Sequence, residues 1–199
     1  MPPAEPDMKL KILLSAKQLF ARQGYDCTTV RQICDEAGAN VALVSYYYGG
    51  KENLFYELFR TFFPGPDKLE EIAPLLLEPL GGLKTLIMEV IRFRMREPDM
   101  ILLLQQEIFK NTHRIEHIRK SAFPIWMELR QVLERGKTQG IFRYRSLDNT
   151  MFFVLGTILF HKHTEYFKPL LEEAPPTFEE LVQDTQIFVL QGLGVVEPE

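Results

Sequence analysis

The stretch CTTVRQICDEAGANVALVSYYYGGKENLF, Cys27 to Phe55, decides how this chain folds. Thr29 is placed to N-cap a helix, and Gln32 three residues on completes a capping box. Val30, Ile33, Cys34 and Ala37 then recur at helical spacing as an apolar stripe. Gly38 falls where a left-handed C-terminal residue is expected, a conformation only glycine adopts without steric cost. Asn40 can cap a second helix within two residues, so the two helices must cross steeply. That spacing predicts a helix-turn-helix, whose second helix lies in the DNA major groove.

The second helix, Val41 to Tyr48, carries Ser45, Tyr46, Tyr47 and Tyr48 in a row. Successive helical residues point about 100° apart, so three consecutive tyrosines do not bury on one side. Some of the hydroxyls must face water or a partner. A tyrosine hydroxyl suits phosphate oxygens and its ring suits thymine methyls. Gly49-Gly50 ends the helix, and Lys51 opens the next, with Leu54, Phe55, Leu58 and Phe59 inward.

From about Ile12 to Phe55 the chain resembles TetR-family transcriptional regulators. The resemblance rests on ILLSAKQLFARQGYDCTTVRQIC, on AGANVALVSYYYGGKENL, and on the glycine before the aromatic, Gly24-Tyr25. Ser45 departs from the pattern: the family usually has tyrosine there, and the tyrosine run here lies one place later. The resemblance implies an all-α fold, with an N-terminal helix-turn-helix domain and a C-terminal helical ligand-binding and dimerisation domain. By that pattern and by position in the short helix, Val41, Ala42, Ser45 and Tyr46 should face base edges. Thr29, Arg31, Tyr47 and Lys51 should meet phosphates or the groove edge, beside the capping Asn40.

Bulk properties are those of an ordinary soluble globular protein. With 199 residues, 46% hydrophobic and 25% charged, the chain can bury a substantial core. Helix formers dominate and alternating β-branched runs are absent, so an all-α fold is expected. The net charge is −4. Through residue 63, Lys9, Lys11, Lys17, Arg22, Arg31, Lys51 and Arg60 balance Glu5, Asp7, Asp26, Asp35, Glu36, Glu52 and Glu57. Placement rather than sum must then make the DNA-facing field. Cys27 and Cys34 are too few for a disulfide framework and fit no common zinc spacing; reduced, packed thiols are the plainer reading. MPPAEPDMKLK has no apolar signal region, and the apolar run Met151 to Phe160 is about half a membrane span. A cytoplasmic protein is expected.

Helices are expected over Met8 to Gln23, Val30 to Ala37, Val41 to Tyr48 and Lys51 to Phe63, and Pro64-Gly-Pro66 is a stop. The expected boundary follows: residues 1–63 form the DNA-binding domain with its connecting helix, and 64–199 the ligand-binding and dimerisation domain. Beyond it come a short helix to Leu77, then Leu83 to Glu97, a helix capped by Asp99, and Ile115 to Gln139, kinked or divided at Pro124. A helix from Ser146 or Asp148 to Phe167 and a last one capped by Thr177 and Glu180 complete the chain.

The last two helices carry wide apolar faces, with Leu155, Ile158, Leu159, Phe188 and Val189 as candidate interface residues. Packing within the chain accounts for part of this. The resemblance adds that the family pairs these helices with those of a second copy, and two reading heads double the DNA site. Phe93, Phe109, Phe123, Trp126 and Met127 are the candidate lining of an apolar pocket near the Pro124 kink, where the family usually binds an inducer; core packing is the plainer reading of each. Arg92, Arg94, Arg96 and Glu107 lie near enough in sequence to tune such a pocket.

No metal, cofactor or catalytic constellation is expected. His113 and His117 share a helical face with no obvious third ligand, and His161 and His163 diverge. Gly-x-Ser-x-Gly and phosphate-cradling loops are absent. The function expected is a homodimeric repressor released from its DNA operator by a small-molecule inducer. Its rivals are a protein of the same fold without ligand control and a helical enzyme or carrier.

Overall fold

The computed structural model describes residues 7–195, apart from the side chains of Pro66 and Lys162. Residues 1–6, on which the reading of the N-terminus rests, lie outside them. Every regular element among the described residues is helical. The chain forms two compact units. One holds residues 7–65 and 97–122; the other holds 66–96 and 123–195. The chain first leaves the N-terminal unit two residues past the expected boundary, then returns to it between Glu97 and Ala122.

In the first unit, α1 (Met8–Gln23), α2 (Val30–Ala37), α3 (Ala42–Tyr48) and α4 (Lys51–Phe62) pack with α7 (Pro98–Lys110) and the start of α8 (Ile115–Thr138). Ile12, Ala16, Phe20, Ile33, Val44, Leu54, Phe55 and Leu58 are fully buried and make its centre. Phe20, Tyr25 and Phe55 meet ring to ring at 5.1–5.5 Å. Side-chain bonds bring α7 in: Lys17 pairs with Glu97 at 2.9 Å, and Gln106 donates to the Ala21 carbonyl at 3.1 Å.

The second unit joins α5 (Pro66–Ile72), α6 (Pro79–Arg96), the rest of α8, α9 (Leu147–Phe160), the one-turn α10 (Thr164–Phe167) and α11 (Phe178–Gly192). Leu83, Ile87, Ile91, Val132, Leu133, Phe142, Val154, Ile158 and Leu190 fill its core. Several bounds differ from the sequence expectation. The α7 helix starts at Pro98 with Glu97 at its cap, so Asp99 lies in its first turn rather than capping it. The α6 helix starts at Pro79 rather than Leu83, because the Glu78 carboxylate accepts from the free Leu80 and Gly81 amides at its N-terminus. Gly82 lies inside that helix, where a Cβ would come within 3.0 Å of the Leu76 backbone. Pro124 does not divide α8, which runs unbroken to Thr138. The α9 helix ends at Phe160, and short 3-10 turns with α10 replace its expected continuation to Phe167.

Candidate DNA-recognition surface

Two local devices fix the entry to the site. The Thr29 hydroxyl accepts from the Gln32 amide at 3.2 Å while the Gln32 side chain accepts from the Thr29 amide at 2.8 Å. Reciprocal capping of this kind stabilises a helix start by about 1 kcal/mol. At the other end of α2, Gly38 sits at φ 63°, and its amide bonds back to Asp35. Four residues later the chain is helical again, with Asn40 Oδ1 accepting from the Ala42 amide at 2.8 Å. This is the tight turn expected from the spacing.

The α3 helix divides its faces sharply. Val44 is fully buried, and Tyr48 is buried with its hydroxyl donating to the Lys9 carbonyl at 2.6 Å. Burial pushes the Tyr48 phenol up to about 12. Val41, Ala42, Ser45 and Tyr46 are exposed, Tyr46 at 80%. They occupy consecutive turns on the side away from Val44 and Tyr48. Tyr47 is half-buried between its neighbours, 5.1 Å from the Tyr46 ring. Thr29, Arg31 and Asn40 are exposed. Gly49 at φ 72° and Gly50 at φ 130° turn the chain out of α3; Gly50 holds a backbone conformation that is essentially glycine's alone.

Lys51 is placed differently from a free surface cation. It is half-buried, with Nζ 4.1 Å from the Tyr25 ring centroid, and burial lowers its pKa. The same ring receives the Arg114 guanidinium at 4.0 Å. Arg114 is buried and makes two bonds to the buried Glu107 at 3.0 and 3.1 Å. Glu107 is therefore committed within the first unit rather than to a pocket. Lys110 donates to Asp26 at 3.1 Å, which holds that carboxyl below its usual range. Sequence reading missed this cluster: Glu107 and Arg114 lie more than eighty residues from Tyr25 and Asp26.

The remaining candidates spread over both units. Phe109 is 92% exposed on α7, and Phe123 and Met127 are also exposed. Phe93 is buried on α6, and Trp126 is half-buried against the second unit's core. The five do not gather as an apolar lining within either unit. Phe109, Phe123 and Met127 are thus exposed rather than turned into either unit's core. Of the interface candidates, Ile158 and Val189 are 1% and 5% exposed inside the second unit's own core. Leu155 and Leu159 are half-buried against it. Phe188 points out, joined on the outer side of α9 by Phe152, Phe153 and Phe160. Among the described residues no group of three or more histidine, cysteine or carboxylate side chains is placed to hold a metal. His113 instead meets Glu52 at 2.9 Å, and His117 stacks on Tyr56.

Residues 12–58 match the family model of bacterial regulatory proteins, tetR family, and residues 79–171 match the tetracyclin repressor-like C-terminal domain. The chain belongs to the TetR family. Among its relatives, the HTH-type transcriptional repressor NicS of Pseudomonas putida is 28% identical over 139 residues, 66% of this TetR-family chain and 64% of NicS. The chain thus spans just under two thirds of that relative. The HTH-type transcriptional repressor KstR2 of Mycolicibacterium smegmatis is 27% identical over 151 residues, 71% of each. The solved structure of HlyIIR, a hemolysin II transcriptional regulator, superposes with a TM-score of 0.71 at 28% identity, over 89% of this chain and 96% of that one. The ketosteroid transcriptional regulator KstR2 of Mycobacterium tuberculosis, at 24% identity and a TM-score of 0.77, shares the fold over 97% of each chain.

Proposed function

We propose that this chain is a sequence-specific DNA-binding transcriptional repressor that works as a homodimer and leaves its operator when a small molecule binds. The observation that carries the reading is the outward stripe Val41, Ala42, Ser45 and Tyr46 on a helix whose opposite face is locked in the core. A short helix anchored by Val44 and Tyr48 is rigid enough to enter a major groove, and its free side chains have no structural task. Residues 1–63 read the DNA; residues 64–199 take the ligand and pair the copies. The relatives named above are transcriptional regulators. No helix of the described residues is long and apolar enough to cross a membrane.

Dimer formation is supported by the outer side of α9 and α11. Phe152, Phe153, Phe160 and Phe188 are exposed together. A Cβ on Gly156 or Gly192 would meet nothing within 4 Å, so their smallness serves no packing inside the chain. Small residues of that kind let a second helix approach closely. Ligand control rests on the C-terminal family match and on Phe93 and Trp126, which keep an inward or half-buried place.

Selection of bound duplexes from random DNA tests the reading. A recovered site with two-fold symmetry supports it; recovery of unenriched sequences overturns it. Trp126 is the only tryptophan and so reports on the ligand. A compound that releases DNA should change Trp126 emission over the same concentration range; release with unchanged emission removes Trp126 from the pocket.

A further inference from the structure

Two open grooves flank the exposed apolar side of α9 and α11. One, of about 340 Å³, lies at the start of α9, and Arg143, Arg145, Asn149, Phe153 and Phe188 line it. The other, of about 920 Å³, lies at its end, beneath the segment 161–176; Phe160, Phe167, Leu170, Leu171, Glu172 and Glu173 line it. Thr157 and Phe188 belong to both, so the grooves meet mid-face. The segment 161–176 is an arm without a buried residue among those described. Tyr166, Leu170 and Leu171 are exposed on it.

Charge is divided between the two ends. Near the arm, Lys168 pairs with Glu165, and Glu172 and Glu173 remain without a cationic partner among the described residues. At the other end Arg130 pairs with Asp148, and Arg143 and Arg145 have no carboxylate partner among the described residues. The two ends are separated by the length of α9, 14 residues, or roughly 21 Å. No ion pair joins the arm to its own chain's Arg143 or Arg145 among the described residues.

We propose that in the dimer the 161–176 arm of each copy seats in the arginine-lined groove of the other. The inference rests on the dimer proposed above and fixes its direction. A two-fold interface is self-complementary. If like ends met, Glu172 and Glu173 would face their own copies and Arg143 and Arg145 theirs. If opposite ends meet, each acidic arm tip faces a basic groove, and Leu170 and Leu171 cover the exposed Phe153. Mid-face, Phe188 packs near its own copy. The arrangement also accounts for an arm that buries nothing within its own chain.

Two variants of the full chain test it, Arg143→Glu with Arg145→Glu and Glu172→Lys with Glu173→Lys. All four positions are exposed, so circular dichroism should show both folded. Each variant alone carries like charges at both contacts of its homodimer, and its dissociation constant by sedimentation should rise about 10-fold or more at low salt. Mixed in equal amounts, the two have unlike charges at both contacts, and the affinity should return to near that of the wild type. Variants that dimerise as the wild type does overturn the arm contact and leave the dimer standing. Variants that weaken yet show no recovery in the mixture also overturn it. A wild type that is monomeric at micromolar concentration overturns the dimer and the arm contact together.

Discussion

Tyr46→Ala separates recognition from stability. Tyr46 is 80% exposed, and its one described ring contact is the edge of Tyr47 at 5.1 Å. Losing an exposed aromatic pair costs about 0.5–1 kcal/mol, and alanine's better helix propensity returns about 0.5. The folded state should change by less than about 0.5 kcal/mol, as for most surface substitutions. The effect on DNA should be larger. A lost base-edge or thymine-methyl contact reduces discrimination by about 1–3 kcal/mol, or roughly 5- to 150-fold in the preference for the right duplex.

Fluorescence anisotropy on a selected duplex and on a scrambled one, each at two salt concentrations, reads both quantities. Tyr46→Ala should lower the preference and leave the salt slope unchanged, because no phosphate contact is removed. The neighbour two places on gives the contrast. Tyr48→Phe removes the bond to the Lys9 carbonyl and should cost stability, about 0.5–1.5 kcal/mol, with preference intact. Wild-type preference in Tyr46→Ala would refute the assignment of the outward face, and a loss of stability above about 2 kcal/mol would make Tyr46 structural.

Lys51→Ala should weaken binding to every sequence and reduce the salt slope by about one, measured by the same titrations. Since Nζ lies over Tyr25, it should also cost about 0.5–1 kcal/mol in urea unfolding. Phe188→Glu should give folded monomers in sedimentation that no longer hold operator, whereas Val189→Glu buries an unpaired carboxylate and should unfold the second unit by circular dichroism. Burial lowers the His117 pKa, with Lys120 and Arg60 adding repulsion, so folding favours the neutral ring. That stabilisation is complete above the ordinary value of 6.5 and is lost as the pH falls through the lowered one. Thermal midpoints should drop on acidification from about pH 7 to 5, and His117→Phe, which keeps the stack on Tyr56, should flatten that limb.

What could be read from the sequence is what depends on neighbours three or four residues apart. The Thr29–Gln32 and Thr177–Glu180 capping boxes and the left-handed Gly38 stand where the pattern puts them. So does α1, to the residue. The start of α6 was not legible, because Pro79 and Gly81-Gly82 look like breakers until Glu78 is seen capping their amides. Nor was the Tyr25–Arg114–Glu107 cluster, whose members meet only after the chain returns to the first unit. Phe109 reads as core by type and lies outside by placement, because periodicity alone does not say which side of α7 the first unit takes.

The same limit explains the interface candidates and turns it into an argument. The α9 sequence LDNTMFFVLGTILF is apolar almost all round, so no stripe distinguishes the side facing the core from the side facing out. The pattern on α9 points to Leu155, Ile158 and Leu159; the fold turns Ile158 inside and leaves Phe152, Phe153 and Phe160 outside. A helix apolar on every side is one that expects cover on every side. Within one chain α9 is covered on one side only, and its uncovered side carries three exposed phenylalanines, joined by Phe188 of α11. A monomer would leave that face in water as a contiguous apolar patch, which soluble proteins rarely tolerate beyond a few hundred Å². The surplus hydrophobicity of α9 is therefore the sequence's own argument for a second copy, and Phe188 rather than Val189 is where charge should break it.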